Sequence, residues 1–211
     1  MSEPAEELLN VYDARGALVG ALPRAEAKRS GLAVGAVNVL LVNAASRVLL
    51  QRRCEDKENG GCWDKSVGGH VSAGESFDQA AVREAGEELF GDGGSTSVRL
   101  YPSEQGLRAA VGGIELFRTA AFFPSSRQLS IRDVRRAPDG GVRNVIYHVA
   151  VYLGRTDVPR AGFRPPADEI AELDYVAVPE LDRRLLAGEL APNMAFLWLT
   201  HAPALLALLD P

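Results

Sequence analysis

Apolar positions along this chain recur in two rhythms. Alternation, or an unbroken Val/Leu/Ile run, predicts strands; recurrence every three to four residues predicts amphipathic helices. Residues 8–13 and 17–22 flank Ala14-Arg15-Gly16, a short hairpin signal. Pro23 follows, and 24–30 reads as a short polar helix closed by Gly31. Residues 32–42 form a long Val-rich run, followed by Asn43-Ala44-Ala45-Ser46 and then 48–51: two strands joined by a tight turn. Residues 52–64 are charged, carry Gly60-Gly61 and predict a loop, with Trp63 as a core or hinge residue.

Downstream, 91–97 reads as a plain loop, and 98–101, 114–123 and 144–153 as strands, the last rich in β-branched and aromatic residues. Between the latter two, residues 124–143 hold Arg127, Arg132, Arg135, Arg136 and Arg143 against Asp133 and Asp139. That pattern fits either a solvated hairpin tip or a clamp that neutralises phosphate. Residues 155–168 include three prolines with Arg160 and Arg164, and predict a partly rigid loop. An alternating strand over 169–178 follows, then a helix opened by Pro179 and running to about 187. The stretch 193–209 is strongly apolar, contains His201 and Pro203, and reads as core or as an oligomer contact. Strands and helices interleave without regular βαβ alternation, so the expected class is α/β (α+β): a mixed sheet with helices on its faces. Residues 1–31 read as an N-terminal hairpin arm and 32–211 as the main domain with a C-terminal helix.

One stretch departs from these rhythms. Residues 68–91 read GGHVSAGESFDQAAVREAGEELFG. Ser76 and Gln79 fit a capping box at a helix start, and Phe77, Ala81, Val82, Ala85 and Leu89 make an apolar stripe. Beside the stripe, Glu84, Glu87 and Glu88 stand at i, i+3 and i+4, on one face. Like charges at that spacing weaken a helix by a few tenths of a kcal/mol per pair, about 0.2–0.5. Gly86 adds about 1 kcal/mol relative to Ala. A helix that breaks two local rules in five residues is built for something besides stability. Three carboxylates on one face suit a hard divalent cation, because Mg²⁺ takes oxygen ligands and usually binds substrate phosphates as well. The loop before the helix, 67–74, holds three glycines, and Gly serves where backbone must approach a ligand closely. A Glu75–Arg83 pair could hold this loop against the helix.

Composition narrows the setting. The net charge of −5 argues against a nucleic-acid-coating surface. The 23 basic residues are mostly Arg, which suits bidentate phosphate contacts but also fits a compositional bias. The acidic start MSEPAEELLN lacks a basic-then-apolar signal pattern, and no apolar run reaches membrane-spanning length. Cys54 and Cys62 read as reduced thiols, and the expected location is cytoplasmic.

The spacing G-x5-E-x7-R-E-U-x-E-E-x-G-U, with U aliphatic, resembles the Nudix box. Here it is Gly69, Glu75, Arg83, Glu84, Ala85, Glu87, Glu88, Phe90 and Gly91. Ala85, Phe90 and Gly91 depart from the pattern, so the left-handed turn that closes the helix falls to Gly91, one residue late. The resemblance implies a Nudix-type α/β/α sandwich over roughly residues 32–187, with an N-terminal β-hairpin, and Mg²⁺-dependent hydrolysis of the diphosphate bond in a nucleoside diphosphate linked to another moiety or in a similar organic diphosphate. Mn²⁺ is an alternative cation. It implies metal ligands at Glu84, Glu87 and Glu88 with a carbonyl from Gly68 or Gly69, an orienting Arg83, and a further carboxylate from a later loop. Glu169 is the candidate for base or extra ligand, and Glu172 the second. Arg52, Arg135, Arg136 and His70 are the substrate-contact candidates. For His70 the other reading is a loop side chain bonded to backbone, and His148 reads as structural. No nucleic-acid or membrane partner is expected, and a homodimer is left open.

The hairpin and the run VLLQRR are similar to the isopentenyl-diphosphate isomerase-like branch. Its W-T-N-x-x-C-x-H pattern aligns with Trp63-Asp64-Lys65-Ser66-Val67-Gly68-Gly69-His70, so Gly68 stands where that Cys would be. The upstream histidines are absent, and protonation at carbon needs its acid in place. Hydrolysis is the expected chemistry, with a non-catalytic Nudix-fold binding module as the alternative.

Overall fold

A computed structural model describes residues 7–91 and 96–210. Its first elements are β1 (Leu8–Tyr12), β2 (Leu18–Pro23), α1 (Arg24–Ala27), β3 (Ala33–Val42), β4 (Arg47–Arg53), β5 (Trp63–Asp64), β6 (Val67–His70) and α2 (Phe77–Ala85). Then come β7 (Val98–Leu100), α3 (Glu104–Ala110), β8 (Ala120–Arg136), β9 (Val142–Arg155), β10 (Ile170–Ala177), α4 (Val178–Leu186) and α5 (Pro192–Ala207). Residues 92–95 of the loop expected at 91–97 lie outside the described residues, as does most of the acidic N-terminal stretch.

Strand β3 is the axis of a mixed sheet. Along one edge β9 runs parallel to it, from Val34–Tyr147 to Val42–Arg155. Three antiparallel partners share the other edge: β1 at Ala33 and Val34, β6 at Ala36 to Val39, and β4 at Leu41 and Val42. The main path is β10-β4-β3-β9-β8-β7, with the β1–β2 hairpin attached through β1.

A strand covered on both faces should read as continuous apolar sequence, and β3 does. Val34, Leu40 and Val42 join Val149, Val151 and Leu153 in one core, closed by Leu107 of α3, Leu181 of α4, and Met194, Leu197 and Trp198 of α5. Val37, Val39 and Leu41 enter a second core with Ala80, Ala81, Ala85 and Leu89 from α2 and the turn after it. At about 1.5–3 kcal/mol for each fully buried Val or Leu, these two layers fix α2 on one face and α5 on the other. Asn38, 7% exposed, is a lone polar residue within β3.

Four expectations need correction. Residues 114–119 are not strand; β8 begins at Ala120 and runs through Pro124 to Arg136. Pro124 is tolerated because β7 pairs only with Ala120 to Phe122, and a bulge follows between Pro124 and Ser126. The Arg-rich stretch is therefore mostly ladder, not loop. The helix α3, N-capped by the Ser103 side chain on Gly106 N–H, lies in a stretch given no element by the periodicity. Gly68 and Gly69 belong to β6, paired with Asn38 and Val37, so the glycines of the box begin as strand. Trp63 and Asp64 likewise form β5, against Arg52 and Gln51.

His148 has a structural role. Its Nδ1 accepts from Ser130 N–H at 2.9 Å, so the proton sits on Nε2, which donates to the Asp13 carbonyl at 2.6 Å. The ring thereby ties the tip of the first hairpin to the β8–β9 hairpin.

Candidate functional site

The carboxylate helix starts as its sequence requires. Ser76 Oγ accepts from Gln79 N–H at 3.2 Å, and Gln79 Oε1 accepts from Ser76 N–H at 2.8 Å. It does not end as a plain α-helix. Residues Gly86–Phe90 form a π turn, closed by Gly91 with φ +72°. Single π turns of this kind are frequent at functional sites, and Gly86 eases the widening. Glu87 and Glu88 lie in this turn, so the i, i+3, i+4 geometry holds only approximately. Glu88 is 6% exposed, whereas the Glu87 side chain is 44% exposed.

Arg83 is the hub of the box. Its Nε donates to Glu75 Oε1 at 2.8 Å and one terminal nitrogen to Glu75 Oε2 at 3.0 Å, a two-bond fork. The same nitrogen donates to the His70 carbonyl at 3.0 Å, and the other reaches Glu84 and Glu87, each at 3.0 Å. The guanidinium holds Glu75 below the usual carboxylate range. Glu88 Oε2 instead accepts from Gly68 N–H at 2.9 Å and from the Gln51 amide at 3.3 Å.

The two glycines are required by their neighbours. A Cβ on Gly69 would run into the Glu84 carboxylate, and one on Gly68 into the Lys65 side chain. Burial, outweighing the nearby Arg83, pushes Glu84 up to about 7. Burial and then the charge on Glu84 push Glu88 up to about 8. Two buried carboxyls, one raised by the charge of the other, want a cation.

These groups floor a polar cleft of about 290 Å³. Arg24, Arg53, Lys65, Arg135 and the exposed Glu169 line it as well, with Lys65 packed against Gly68. Lys65 is buried against Asp64, with Nζ 3.1 and 3.2 Å from the two carboxylate oxygens. Burial opposes ionisation of Asp64, yet the charges of Lys65 and Arg53 hold its pKa below the ordinary carboxylate value. Glu58 lies 3.1 Å from Arg135 and 3.4 Å from Lys28, whose ammonium burial pulls down to about 8. Among the described residues no three His, Cys, Asp or Glu side chains form a ready-made metal cage. The donor set is nonetheless of hard oxygens, as Mg²⁺ prefers: Glu84 is shared with Arg83, and Glu88 accepts from two neutral donors, Gly68 N–H and the Gln51 amide.

The sequence candidates divide on inspection. Glu84, Glu87, Glu88, Arg83, Gly68, Gly69, His70, Arg135 and Glu169 all line the cleft. Arg52 does not; its Nε bonds to the Gly61 carbonyl, and strand alternation turns Gln51 and Arg53 toward the site instead. Arg136 is held by its backbone to Asn59 and does not line the cleft. Glu172 pairs with Arg160 at 2.9 Å, away from the cleft. His70 is a buried strand residue whose Nε2 lies 3.5 Å from the Tyr147 hydroxyl, and burial among cations depresses its basicity. Lys65, Glu58, Asn38 and Asn193 were not foreseen. The signals for two of them were there: Asn38 interrupts an apolar strand, and Lys65 is one of few lysines.

The comparisons agree with this geometry. The NUDIX domain family matches residues 33–196. An uncharacterised Nudix hydrolase of Pseudomonas aeruginosa is 40% identical over 84 residues, 39% of this chain and 50% of that protein. The chain thus matches about half the length of that relative. An isopentenyl-diphosphate Delta-isomerase of Pectobacterium atrosepticum is 28% identical over 169 residues, covering 79% of this chain and 74% of that one. In structure, DR0079 from Deinococcus radiodurans superposes with TM-score 0.61 at 23% identity, over 90% of this chain and 96% of that one. No helix among the described residues is long and apolar enough to cross a membrane.

Proposed function

The chain belongs to the Nudix family, and on that premise we propose that its cleft hydrolyses the diphosphate bond of a small organic diphosphate with Mg²⁺, or alternatively Mn²⁺. The observation that carries this reading is that the buried Glu84 and Glu88 carboxyls line one cleft together with Arg24, Arg53, Lys65 and Arg135. Glu84, Glu87 and Glu88 would hold the divalent cation, with a carbonyl of Gly68 or Gly69. When bound, the cation supplies Lewis acidity toward phosphate oxygens and toward water.

The chain's own groups do the rest. Arg83 holds Glu84 and Glu87 in place and braces the loop through Glu75. Arg53, Lys65 and Arg135, in the same cleft, take up phosphate charge. Glu169, exposed beside the three box carboxylates, is placed to accept a proton or to add a ligand. Glu172 drops out of that role because Arg160 already engages it.

The likeness to isomerases raises a second reading, isomerisation at carbon. Gly68 argues against it: a Cys there would meet Lys65, and no upstream histidine is available. Phosphorus NMR of a diphosphate panel separates the readings. Hydrolysis removes the diphosphate resonances in a Mg²⁺-dependent, EDTA-sensitive way. Isomerisation leaves them intact while the proton spectrum shows the double bond moved, and a binding module yields no product in either spectrum.

A further inference from the structure

The polar cleft does not close beyond the cations. Ala36, Asn38, Arg135 and Asn193 line both it and a second, mainly apolar groove of about 400 Å³. This groove lies between the β8–β9 hairpin and the first turns of α5, and Ile131, Tyr147, Val149 and Phe196 wall it. Phe196 keeps 43% of its surface exposed, beside Leu197 and Trp198 of the same helix, which enter the core. At the junction, the Asn193 carboxamide oxygen is buried with no hydrogen-bond partner among the described residues. Such an acceptor is costly to leave unmade.

We propose that this groove seats the organic part of the substrate while its phosphates lie in the cleft, which rests on the hydrolase reading above. Arg135 marks the border, being charged toward the cleft and stacked over Tyr147 at 5.0 Å on the groove side. The group that fits presents an apolar or aromatic face to Phe196 and Ile131. It also carries a hydrogen-bond donor close to the diphosphate, which completes Asn193. A plain hydrocarbon tail covers the wall but leaves that oxygen unpaired, and inorganic pyrophosphate engages neither. Phe196 and Asn193 are therefore the specificity-determining residues.

The test uses the full chain, its Phe196→Ala and Asn193→Ala variants, and a panel of nucleoside-, sugar- and prenyl-linked diphosphates. Inorganic pyrophosphate is the control without an organic group. For the best panel member, Phe196→Ala should raise KM about tenfold, the scale of one lost aromatic contact, with kcat little changed. Pyrophosphate kinetics should not move. Asn193→Ala should erase the preference for donor-bearing members over prenyl diphosphates. Calorimetric titration of the best-bound member in EDTA gives a readout free of turnover, and Phe196→Ala should weaken binding by a similar factor. If the parent turns nothing over but this titration still discriminates the variants, hydrolysis fails and the groove stands. If the parent is active yet the best member binds Phe196→Ala as tightly as the parent, the groove assignment is overturned.

Discussion

Arg83 grips Glu75 by both carboxylate oxygens, at 2.8 and 3.0 Å, across eight residues of chain. That fork joins the last turn of α2 to the loop just before its N-cap, and the same guanidinium lies between Glu84 and Glu87. Lys in this place keeps the charge but loses the planar fork. Arg83→Lys should destabilise the fold by about 1–3 kcal/mol, the range for hydrogen bonds to charged groups, and should lower kcat. Urea unfolding with parallel kinetics checks both. A variant as stable and active as the parent would show that the fork is ornamental.

Gly69 offers a steric test of the same arrangement. Its φ is not in the left-handed region, so Ala is tolerated by the backbone, but the methyl would displace the Glu84 carboxylate. Gly69→Ala should fold and lose about 10²-fold or more in turnover, as when one electrostatic group is removed from a transition state. Gly112→Ala, with nothing within 4 Å of the new methyl, should be silent. Equal activity in both variants would detach Glu84 from the chemistry.

The raised carboxyls also set a pH dependence. Glu84 at about 7 and Glu88 at about 8 lie above an unfolded Glu, about 4.3. Between these values the folded chain holds more protons than the unfolded one, so stability present at low pH is lost as pH rises. Without divalent ions, Tm should therefore fall from pH 7 to pH 8, above the range in which the depressed His70 and His201 act in the opposite sense, and Mg²⁺ at pH 8 should restore it. Glu88→Gln should flatten the fall. Asp64, Glu58 and Glu75 are held low and act in the acid range, outside this window. A Tm that climbs over this interval in EDTA contradicts the reading.

The Arg-rich strand gives a contrast between neighbours. Arg135 faces the cleft and balances Glu58 and Asp133, whereas Arg136 does not line it. Arg135→Ala should raise KM and cost roughly 3–5 kcal/mol by stranding buried charge. Arg136→Ala should do neither. Matched Michaelis curves and unfolding midpoints would decide, and indistinguishable variants would remove Arg135 from the site.

How much of this could be read from the chain differs by residue. The capping box, the apolar stripe and the closing Gly91 are local devices, and local spacing revealed them. Glu75–Arg83 spans eight residues and was only permitted by the sequence, since a fork depends on the loop folding back. The π turn was hidden because period analysis assumes a fixed rotation per residue. Arg52 was favoured over Arg53 because the register of β4 against β10 and β5, not the composition, decides which side chain faces the cleft. Lys65, Glu58 and Asn193 come from three separated segments, and only the tertiary fold brings them together.

The central claim is that Glu88 and its neighbours form the catalytic metal site. Its most direct test is the Mg²⁺-dependent rate of diphosphate cleavage in the parent and in Glu88→Gln, compared at equal thermal stability. Gln keeps the volume and removes one buried charge, so folding should hold while the rate falls about 10²–10³-fold. Equal rates in the two proteins would contradict the assignment of this helix.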